Sequence, residues 1–361
     1  MMPTLDIIVY RNFRNLANIE LNPGPGINLI SGANAQGKTN LLEGIHLISS
    51  GRVLRGSRES EVIREGTDSS KVTATVHPHG TTISVTIAQG KRKRAELNSL
   101  GLPRAADIIG RIPSVGFWSG DLAIVTGDPS ARRLFLDSEL CQLMPSYLRS
   151  FTVYKRALEQ RNSLLKAAQD RFVSDEEFDV WEVQLAEAGS KLRRHRTEYV
   201  DALLPVASET HAHMGKGEVL HLSYQQKDES AESAEDFARV RRLDIARGST
   251  SIGPHRDDLD IQIAGFPARQ FGSQGQQRTS VISIKLAVLD VAKNRLGFPP
   301  ILLLDDIFSD LDEHRREKLL EAATLQGGQI FVTCTEVGQA GGKLISQSTV
   351  FSVESGMVRP Q

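Results

Sequence analysis

Gly32, Gly37, Lys38 and Thr39 have the spacing G-x-x-x-x-G-K-[ST] of a phosphate-binding loop. Glycine lets the backbone approach a phosphate closely, and the N–H groups at the start of a helix attract anions. In such a loop the lysine contacts the terminal phosphates and the threonine hydroxyl is a ligand of Mg²⁺. The sequence therefore predicts a polyphosphate site formed by Gly32, Ala33, Asn34, Ala35, Gln36, Gly37, Lys38 and Thr39.

The segments on either side of this loop support the prediction. The apolar run Ile27 to Ile30 predicts a strand, and Leu41 to Ser49 predicts a helix. A strand, a glycine-rich loop and a helix in this order place the positive end of the helix dipole at the phosphates. The alternative, a surface turn of chance composition, explains neither flanking element.

A second candidate for phosphate chemistry is ILLLDD, residues 301–306. It predicts a buried strand with two carboxylates at its C-terminal end, which is where open α/β sheets bind ligands. We predict that Asp305 holds Mg²⁺ together with Thr39, and that Asp306 orients or activates the attacking water. The alternative is a strand that ends in a helix cap. In the following IFSDLD, we expect Ser309, Asp310 and Asp312 to cap the next helix and to reach toward another subunit.

The run FGSQGQQR, residues 271–278, predicts the start of a long helix that extends from Gln274 to about Asn294. Ser273 and Gln276 form an S-x-x-Q capping box, and Gly275 permits close approach of another molecule. Two interpretations remain open. The run is either a well-capped helix, or a second anion site whose Ser273, Gly275 and Gln276 face the terminal phosphate bound by another subunit.

The composition of the chain excludes some partners and favours one compartment. Its 361 residues contain 43 Lys+Arg and 44 Asp+Glu, so any DNA-binding surface must be local. Cys141 and Cys334 are too few for a disulfide framework and fit a reducing cytosol. No run of about 18 apolar residues occurs. We therefore expect a cytoplasmic protein without a membrane partner.

Periodicity along the chain predicts a split nucleotide-binding lobe. The runs KVTATV and TTISVTI flank HPHG and predict a β-hairpin, and β-type segments return after residue 250. Between them, Phe178, Trp181, Leu185, Ala188 and Leu192 fall on one helix face. We predict an α/β lobe formed by residues 1–118 and 251–361, with a mostly helical lobe, residues 119–250, inserted between its halves.

Several local clusters of basic residues are candidates for contacts with DNA phosphates, which carry affinity without sequence specificity. Solvated turns and charged helix faces explain them equally well. A cluster on a predicted helix is better explained as its outer face, and an Arg pair before it as packing or a subunit contact. The first two clusters are Arg52, Arg55, Arg58 and Arg64, and Lys91, Arg92, Lys93 and Arg94. The cluster on the predicted helix is Lys191, Arg193, Arg194, His195 and Arg196, and the Arg pair is Arg132 and Arg133.

Together, GANAQGKTNLLE, FGSQGQQR and LLLDDIFSDLD resemble the heads of ABC-type ATPases. With NFRNL, PSVGFWSGDLAIVTGDPSARRLFLD, YKRALEQRNSLLK and GPHRDDL, the chain is similar over nearly its whole length to the RecF family of bacterial recombination mediators. The resemblance implies an α/β P-loop NTPase of the ABC type, a weak DNA-dependent ATPase with ATP and Mg²⁺ as cofactors. It also implies that Lys38, Asp305, Asp306 and Ser273 serve catalysis.

The same resemblance implies a biological role. Such proteins use ATP to dimerise on DNA where a single-strand gap meets duplex, and they help to load the recombinase with RecO- and RecR-type partners. They act in recombinational repair, replication-fork maintenance and SOS induction. Two departures limit the comparison: Asp306 replaces the glutamate of many ABC ATPases, which implies slow hydrolysis, and VTCTEV lacks the switch histidine of transporter-type ATPases. No magnesium-sensing glutamine can be assigned in the region of Phe117 to Asp121.

Other classes of ATPase fit less well. A transporter-type subunit is disfavoured by the missing histidine and the helical insertion. An SMC-type clamp would need hundreds of heptad residues between the phosphate loop and SQGQQ, and this chain has room only for a small lobe.

Overall fold

The computed structural model describes residues 2–56, 58–215, 217–228, 233–307 and 313–361. The chain forms two compact units. Unit 1 comprises Met1–Asp121 and Ile284–Gln361, and unit 2 comprises Leu122–Ser283. None of the helices within these described ranges is both long and apolar enough to cross a membrane.

Unit 1 contains an antiparallel sheet with the strand order β2-β1-β4-β5-β6-β7. The pairing of β4 with β5 confirms the predicted hairpin. One face of the sheet is apolar and shares a hydrophobic core with helix α1, Lys38–Ser50. The strands are β1 (Thr4–Phe13), β2 (Leu16–Leu21), β4 (Ser69–His77), β5 (Thr81–Ala88), β6 (Arg94–Leu97) and β7 (Leu100–Gly101).

The second sheet of unit 1 has the order β15-β14-β3-β13-β12-β8, and all its pairs are parallel except β14 with β15. Every residue of β3, β12 and β13 is buried, which explains their continuous apolar runs. The carboxyl ends of β3, β13, β12 and β8 therefore share one edge. The strands are β3 (Ile27–Ser31), β8 (Ser114–Phe117), β12 (Ile301–Leu304), β13 (Ile330–Cys334), β14 (Ser348–Glu354) and β15 (Met357–Pro360).

Unit 2 combines helices with a small sheet of order β11-β10-β9. On its longest helix, α5, four residues of the predicted face, Phe178, Leu185, Ala188 and Leu192, are buried, whereas Trp181 is only partly buried. Its strands are β9 (Leu220–Gln225), β10 (Asp258–Ile263) and β11 (Phe266–Pro267). Its helices are α2 (Ala123–Thr126), α3 (Pro129–Leu143), α4 (Pro145–Ala167), α5 (Asp175–Met214), α6 (Ala234–Arg247) and α7 (Ala268–Phe271). Helix α8 (Gln274–Leu296) begins in unit 2 and ends in unit 1, where α9 (Glu313–Gln326) and α10 (Gly342–Ser346) follow.

The units divide the chain differently from the lobes expected from sequence, which end at residues 118 and 250. The chain returns from unit 2 to unit 1 after Ser283 rather than after residue 250. The reason is that β10 pairs with β9 in an antiparallel register from Asp258↔Gln225 to Ile263↔Leu220. That pairing joins residues 258–263 to the segment that follows α5. A strand pairing across 33 residues leaves no periodicity signal in the sequence.

Charged side chains form part of the core of unit 2. The Arg161 guanidinium is fully buried and donates hydrogen bonds to Glu182 (3.0 Å), Asp244 (2.6 Å) and the Thr250 hydroxyl (2.9 Å). A buried charge is tolerated only when it is paired and hydrogen-bonded, and Arg161 meets both conditions. It therefore joins α4, α5 and α6 at one point.

The basic cluster on α5 is divided between core and solvent. Arg193 donates to Asp257 (2.8 and 2.9 Å), and Arg196 donates to Asp137 (2.7 Å), and both guanidiniums are buried. The predicted outer face is therefore wrong for these two arginines, whereas Lys191 and Arg194 are exposed. The acids that pair with them lie 59 and 64 residues away in sequence.

The arginine pair that precedes α5 also packs within unit 2. Arg132 is buried and forms a bidentate ion pair with Asp258, and Arg133 donates to the Asp257 carbonyl. His255 donates from Nε2 to the Thr250 carbonyl and accepts at Nδ1 from the Tyr154 hydroxyl (2.6 Å). The motifs PSARRLFLD, YKRALEQRNSLLK and GPHRDDL thus meet in one polar core.

Candidate nucleotide-binding site

The predicted phosphate loop follows β3 and leads directly into α1, as the sequence indicated. Gly37 has φ 118°, and a Cβ there would lie 2.7 Å from Asn15 Oδ1. A Cβ at Gly32 would lie 2.3 Å from the Val353 carbonyl oxygen, so both positions require glycine. Lys38 Nζ donates to the carbonyls of Gly32 (2.6 Å) and Ala33 (2.9 Å). Ala33 and the two residues after it are exposed, and Gln36 is partly buried.

Asn15 supports this loop, although the sequence suggested no role for it beyond the NFRNL resemblance. Its Nδ2 donates to the Gln36 carbonyl (2.9 Å), and its Oδ1 accepts from Asn40 Nδ2 (2.8 Å). Arg64 in turn donates to the Asn15 carbonyl (2.9 Å). These bonds join the loop to the β1–β2 turn and to the first turn of α1.

Glu43 is a second residue that sequence reasoning missed. It is fully buried on α1, where Arg14 donates to both of its oxygens (3.1 and 2.8 Å) and Arg55 donates to Oε2 (3.0 Å). Burial alone would raise the pKa of Glu43, but these two arginines hold it below its usual range. Arg55 also donates to Asn40 Oδ1 (2.7 Å). The only sequence signal was the Glu at the end of NLLE.

Some residues of the two basic clusters that are candidates for DNA contacts therefore bind other residues of unit 1. Arg55 pairs with Glu43, and Arg64 bonds to Asn15, as described above. Lys93 contacts the Gly51 carbonyl (2.6 Å) and the Glu59 carboxylate. Within these clusters, Arg58 and the three neighbours of Lys93 in KRKR are exposed.

The strand ILLLDD places its first carboxylate against the phosphate-loop helix. Asp305 Oδ1 accepts hydrogen bonds from the hydroxyls of Thr39 and Thr333, each at 3.0 Å. The structure thus brings together Thr39 and Asp305, the two residues predicted to hold Mg²⁺. Burial raises the pKa of Asp305 above its usual range, and the two hydroxyls oppose that shift in part.

Asp306 adopts an unusual backbone conformation, with φ 52°. Its N–H donates to the Thr333 hydroxyl (2.8 Å), so one side chain of β13 fixes both aspartates. Nothing in VTCTEV marks Thr333 for this role, because threonine is common in β-strands. Ser309, Asp310 and Asp312, which were expected to cap the next helix, lie outside the described residues.

Trp118 follows the C-terminal end of β8, in the region in which no magnesium-sensing glutamine could be assigned. The Phe117 carbonyl accepts from the Asp305 N–H (3.0 Å), and the Trp118 N–H donates to Asp121 Oδ2 (2.9 Å). The Trp118 ring meets His46 of α1 edge-on at 5.6 Å between centroids. Burial lowers the pKa of His46 to about 4, so this imidazole is neutral at physiological pH.

The predicted capping box of α8 is present in unit 2. The Ser273 N–H donates to Gln276 Oε1 (2.7 Å), and the Gln276 N–H donates to Ser273 Oγ (3.3 Å). Gln276 Nε2 also donates to Glu218 (2.8 Å), while Gly275 is partly buried. Ser273 is exposed at the helix N-terminus, which satisfies both interpretations of this motif.

Comparison with known proteins identifies the family. The family model "RecF/RecN/SMC N terminal domain" matches residues 4–358. The "DNA replication and repair protein RecF" of Symbiobacterium thermophilum is 39% identical over 339 residues, which cover 90% of this chain and 89% of that protein. The chain belongs to the RecF family.

Solved structures agree with this assignment. The chain is similar to the "recombination mediator protein RecF-ATP in RecFOR pathway", with a TM-score of 0.90, 31% identity and coverage of 99% and 98% of the two chains. The Smc head domain from Pyrococcus furiosus, at 15% identity, shares the fold with a TM-score of 0.58 and coverage of 100% and 96%. The predicted fold, a P-loop NTPase of the ABC type with an inserted helical lobe, is confirmed for this RecF-family chain.

Proposed function

We propose that this RecF-family protein is an ATP-dependent DNA-binding protein of recombinational repair and replication-fork maintenance. ATP drives its dimerisation on DNA, and slow hydrolysis releases the dimer. The observation that carries the proposal is the 3.0 Å hydrogen bond between Thr39 and Asp305, which are 266 positions apart in sequence. It supports a nucleotide site at the carboxyl edge of the parallel sheet. The solved relative whose name includes ATP has the same fold.

Each residue of this site has a role in the proposal. The backbone N–H groups of Gly32–Thr39 and the Lys38 ammonium bind the phosphates. The Thr39 hydroxyl and the Asp305 carboxylate are oxygen ligands of the kind that Mg²⁺ prefers, and Mg²⁺ would neutralise phosphate charge there. Asp306 orients the attacking water. Because its side chain is one methylene shorter than glutamate, its reach is shorter and hydrolysis is slow. Membership of the family implies that this weak ATPase activity depends on DNA.

Ser273 supplies the second half of the site in this proposal. A serine that is exposed at the start of a 23-residue helix, with Gly275 and Gln276 beside it, suits an anion carried by another subunit. A dimer with two-fold symmetry then contains two composite sites, each with Lys38 from one subunit and Ser273 from the other. ATP binding and dimerisation are coupled because the phosphate is part of the interface.

The partners follow from the family. We propose that the dimer acts where a single-strand gap meets duplex DNA, with RecO- and RecR-type proteins, and helps to load the recombinase and to support SOS induction. The place of work would be the cytoplasm, where a bacterial chromosome lies.

The test is sedimentation or light scattering with and without ATP and gapped DNA. We expect ATP-dependent dimers of the unmodified chain. Ser273→Arg should bind ATP as a monomer but fail to dimerise, because a large cation blocks the interface. Lys38→Arg should neither form stable dimers nor hydrolyse ATP, since a planar guanidinium does not reproduce the phosphate contacts of an ammonium.

Mixing the two variants separates a composite site from a helix cap. A mixed dimer has one site in which both Lys38 and Ser273 are intact, so partial ATPase activity should return. If Ser273 only caps α8, Ser273→Arg will lose about 1 kcal/mol of stability and dimerise normally. Normal dimerisation without complementation would refute the composite site, and a chain that stays monomeric with ATP would refute the ATP switch.

A further inference from the structure

The outer face of the antiparallel sheet in unit 1 carries a row of polar side chains in register. Arg11 pairs with Lys71, Lys71 with Thr86, and Thr86 with Arg94, on the adjacent strands β1, β4, β5 and β6. Directly paired residues of antiparallel strands point to the same face of a sheet. The neighbouring row, formed by Tyr10, Val72, Val85 and Ala95, is buried and faces the core, so the first row faces away from it.

This row carries cations that the fold leaves available. Lys71 donates to Glu96 (2.7 Å), whereas Arg11 and Arg94 are exposed and have no ion-pair partner among the described residues. Lys91 and Arg92, in the turn between β5 and β6, are also exposed and without such a partner in the described ranges. We call Arg11, Lys71, Lys91, Arg92 and Arg94 the basic strip.

The acidic residues around the strip do not cancel its charge. Glu20 and Glu96 occupy the adjacent row of the same face, and Asp68 lies beside the β5–β6 turn, where its carbonyl accepts from the Gln89 N–H (3.0 Å). With Glu59, which contacts Lys93 between Arg92 and Arg94, four acids stand near six cations, and two of these acids already pair with Lys71 and Lys93. The strip keeps a net positive charge in a protein whose formal total is -1.

We propose that the basic strip binds the phosphate backbone of duplex DNA, as the contact surface for the duplex arm of the DNA on which the proposed function depends. Adjacent strands are about 4.8 Å apart, so Arg11 and Arg94 are separated by roughly 14 Å, about the axial rise of four phosphates on one DNA strand. Thr86 lies between the cations in the row, and its hydroxyl is a further donor for phosphate oxygens.

The chemistry of the face favours duplex over single-stranded DNA. Proteins that bind single strands combine positive charge with aromatic side chains on which bases stack. The outward residues of the paired strands β1, β4, β5 and β6, all of them described, include no aromatic side chain in the rows of Arg11 and of Val9. Contacts from arginine, lysine and threonine to phosphate oxygens hold the duplex without reading its sequence.

The experiment measures duplex affinity against salt concentration for the full chain with ATP. Each lost phosphate contact lowers the slope of log K against log salt by about 0.9, so Arg11→Gln/Arg94→Gln should lower it by about 1.8 and weaken binding roughly 60-fold at 0.1 M salt. The loss should be equal for unrelated duplex sequences. Lys191→Gln/Arg194→Gln, which removes two exposed cations from α5, is the matched control and should leave the slope unchanged.

Further variants keep the test decisive. Lys91→Ser/Arg92→Ser alters only the turn and leaves the strands intact, and it should lower the slope in the same way. Affinity for single-stranded oligonucleotides should not change in either strip variant. Equal slopes for the strip variants, the control and the unmodified chain would overturn the inference and leave the proposed function standing. Equal weakening on single strands would overturn the assignment to duplex. An unmodified chain that binds no DNA would refute the proposed function itself.

Discussion

Replacement of Thr333 by valine should separate ATP hydrolysis from ATP binding. The Thr333 hydroxyl donates to Asp305 Oδ1 and accepts from the Asp306 N–H, and the residue is fully buried. Valine keeps nearly the same volume and shape but can make neither bond. The change therefore removes two hydrogen bonds without opening a cavity.

The expected magnitude follows from those two bonds. The partly buried Asp306 N–H would lose a hydrogen bond of about 0.5–1.5 kcal/mol, and the Asp305 carboxylate would lose a bond of about 1.5–3 kcal/mol. Because the two losses share one network and are not additive, we expect the free energy of unfolding to fall by about 2–4 kcal/mol. Asp306 at φ 52° would lose a bond that holds its backbone, and hydrolysis should drop by roughly 10²-fold, the usual effect of about 1 Å of misplacement.

The assays are urea denaturation, ATP binding by fluorescence titration and single-turnover hydrolysis. ATP affinity should stay within a few fold, because Lys38 and Thr39 are unchanged. Thr333→Ser restores the hydroxyl and should restore hydrolysis. Thr335→Val, which removes a bond to Gln339 (2.9 Å) at the protein surface, is the matched control and should change neither quantity. Hydrolysis at the unmodified rate in Thr333→Val would refute the view that this hydroxyl positions Asp306.

Asp306→Asn should retain ATP binding and hydrolyse ATP about 10²-fold or more slowly, so that the ATP-bound dimer persists on DNA; a normal rate would show that another group activates water. Arg161→Met should lower the free energy of unfolding measured in urea by about 3–5 kcal/mol, because the buried Asp244 carboxylate would lose its cation, and a loss below about 1 kcal/mol would contradict this account of the core. Burial lowers the pKa of His255 from 6.5 to about 4, so its contribution to stability is present above pH 6.5 and is lost as the pH falls through about 4. His255→Gln should therefore flatten the decline of the denaturation midpoint between pH 7 and pH 4, and an unchanged decline would exclude His255 as its source.

Local patterns were sufficient to predict the elements of the nucleotide site. The glycine spacing, the apolar runs of β3 and β12 and the S-x-x-Q of α8 each lie within about ten residues, and each reflects a requirement of its own segment. The pairing of Thr39 with Asp305 was also predictable, because parallel strands end at one edge of a sheet.

Contacts between distant segments could not be predicted in the same way. Asn15, Glu43 and Thr333 act through partners that lie 12 to 49 residues away. Nothing in the residue types distinguishes them from ordinary surface polar groups. Arg193 and Arg196 show the opposite error, because a run of charge on a helix resembles a solvated face until the buried acids opposite it are known.

The strand order of the parallel sheet has a consequence for how the protein is made. The central strand β3 lies between β13 and β14, and both of these neighbours begin at or after Ile330. Unit 2 is continuous in sequence and can close during translation, whereas the fully buried residues of β3 must wait for nearly the whole chain. At about 5–20 residues per second, a ribosome needs roughly 15–60 s to pass from the end of β3 at Ser31 to Ile330. During that interval the apolar residues of β3 have neither of the strands that flank them in the folded sheet.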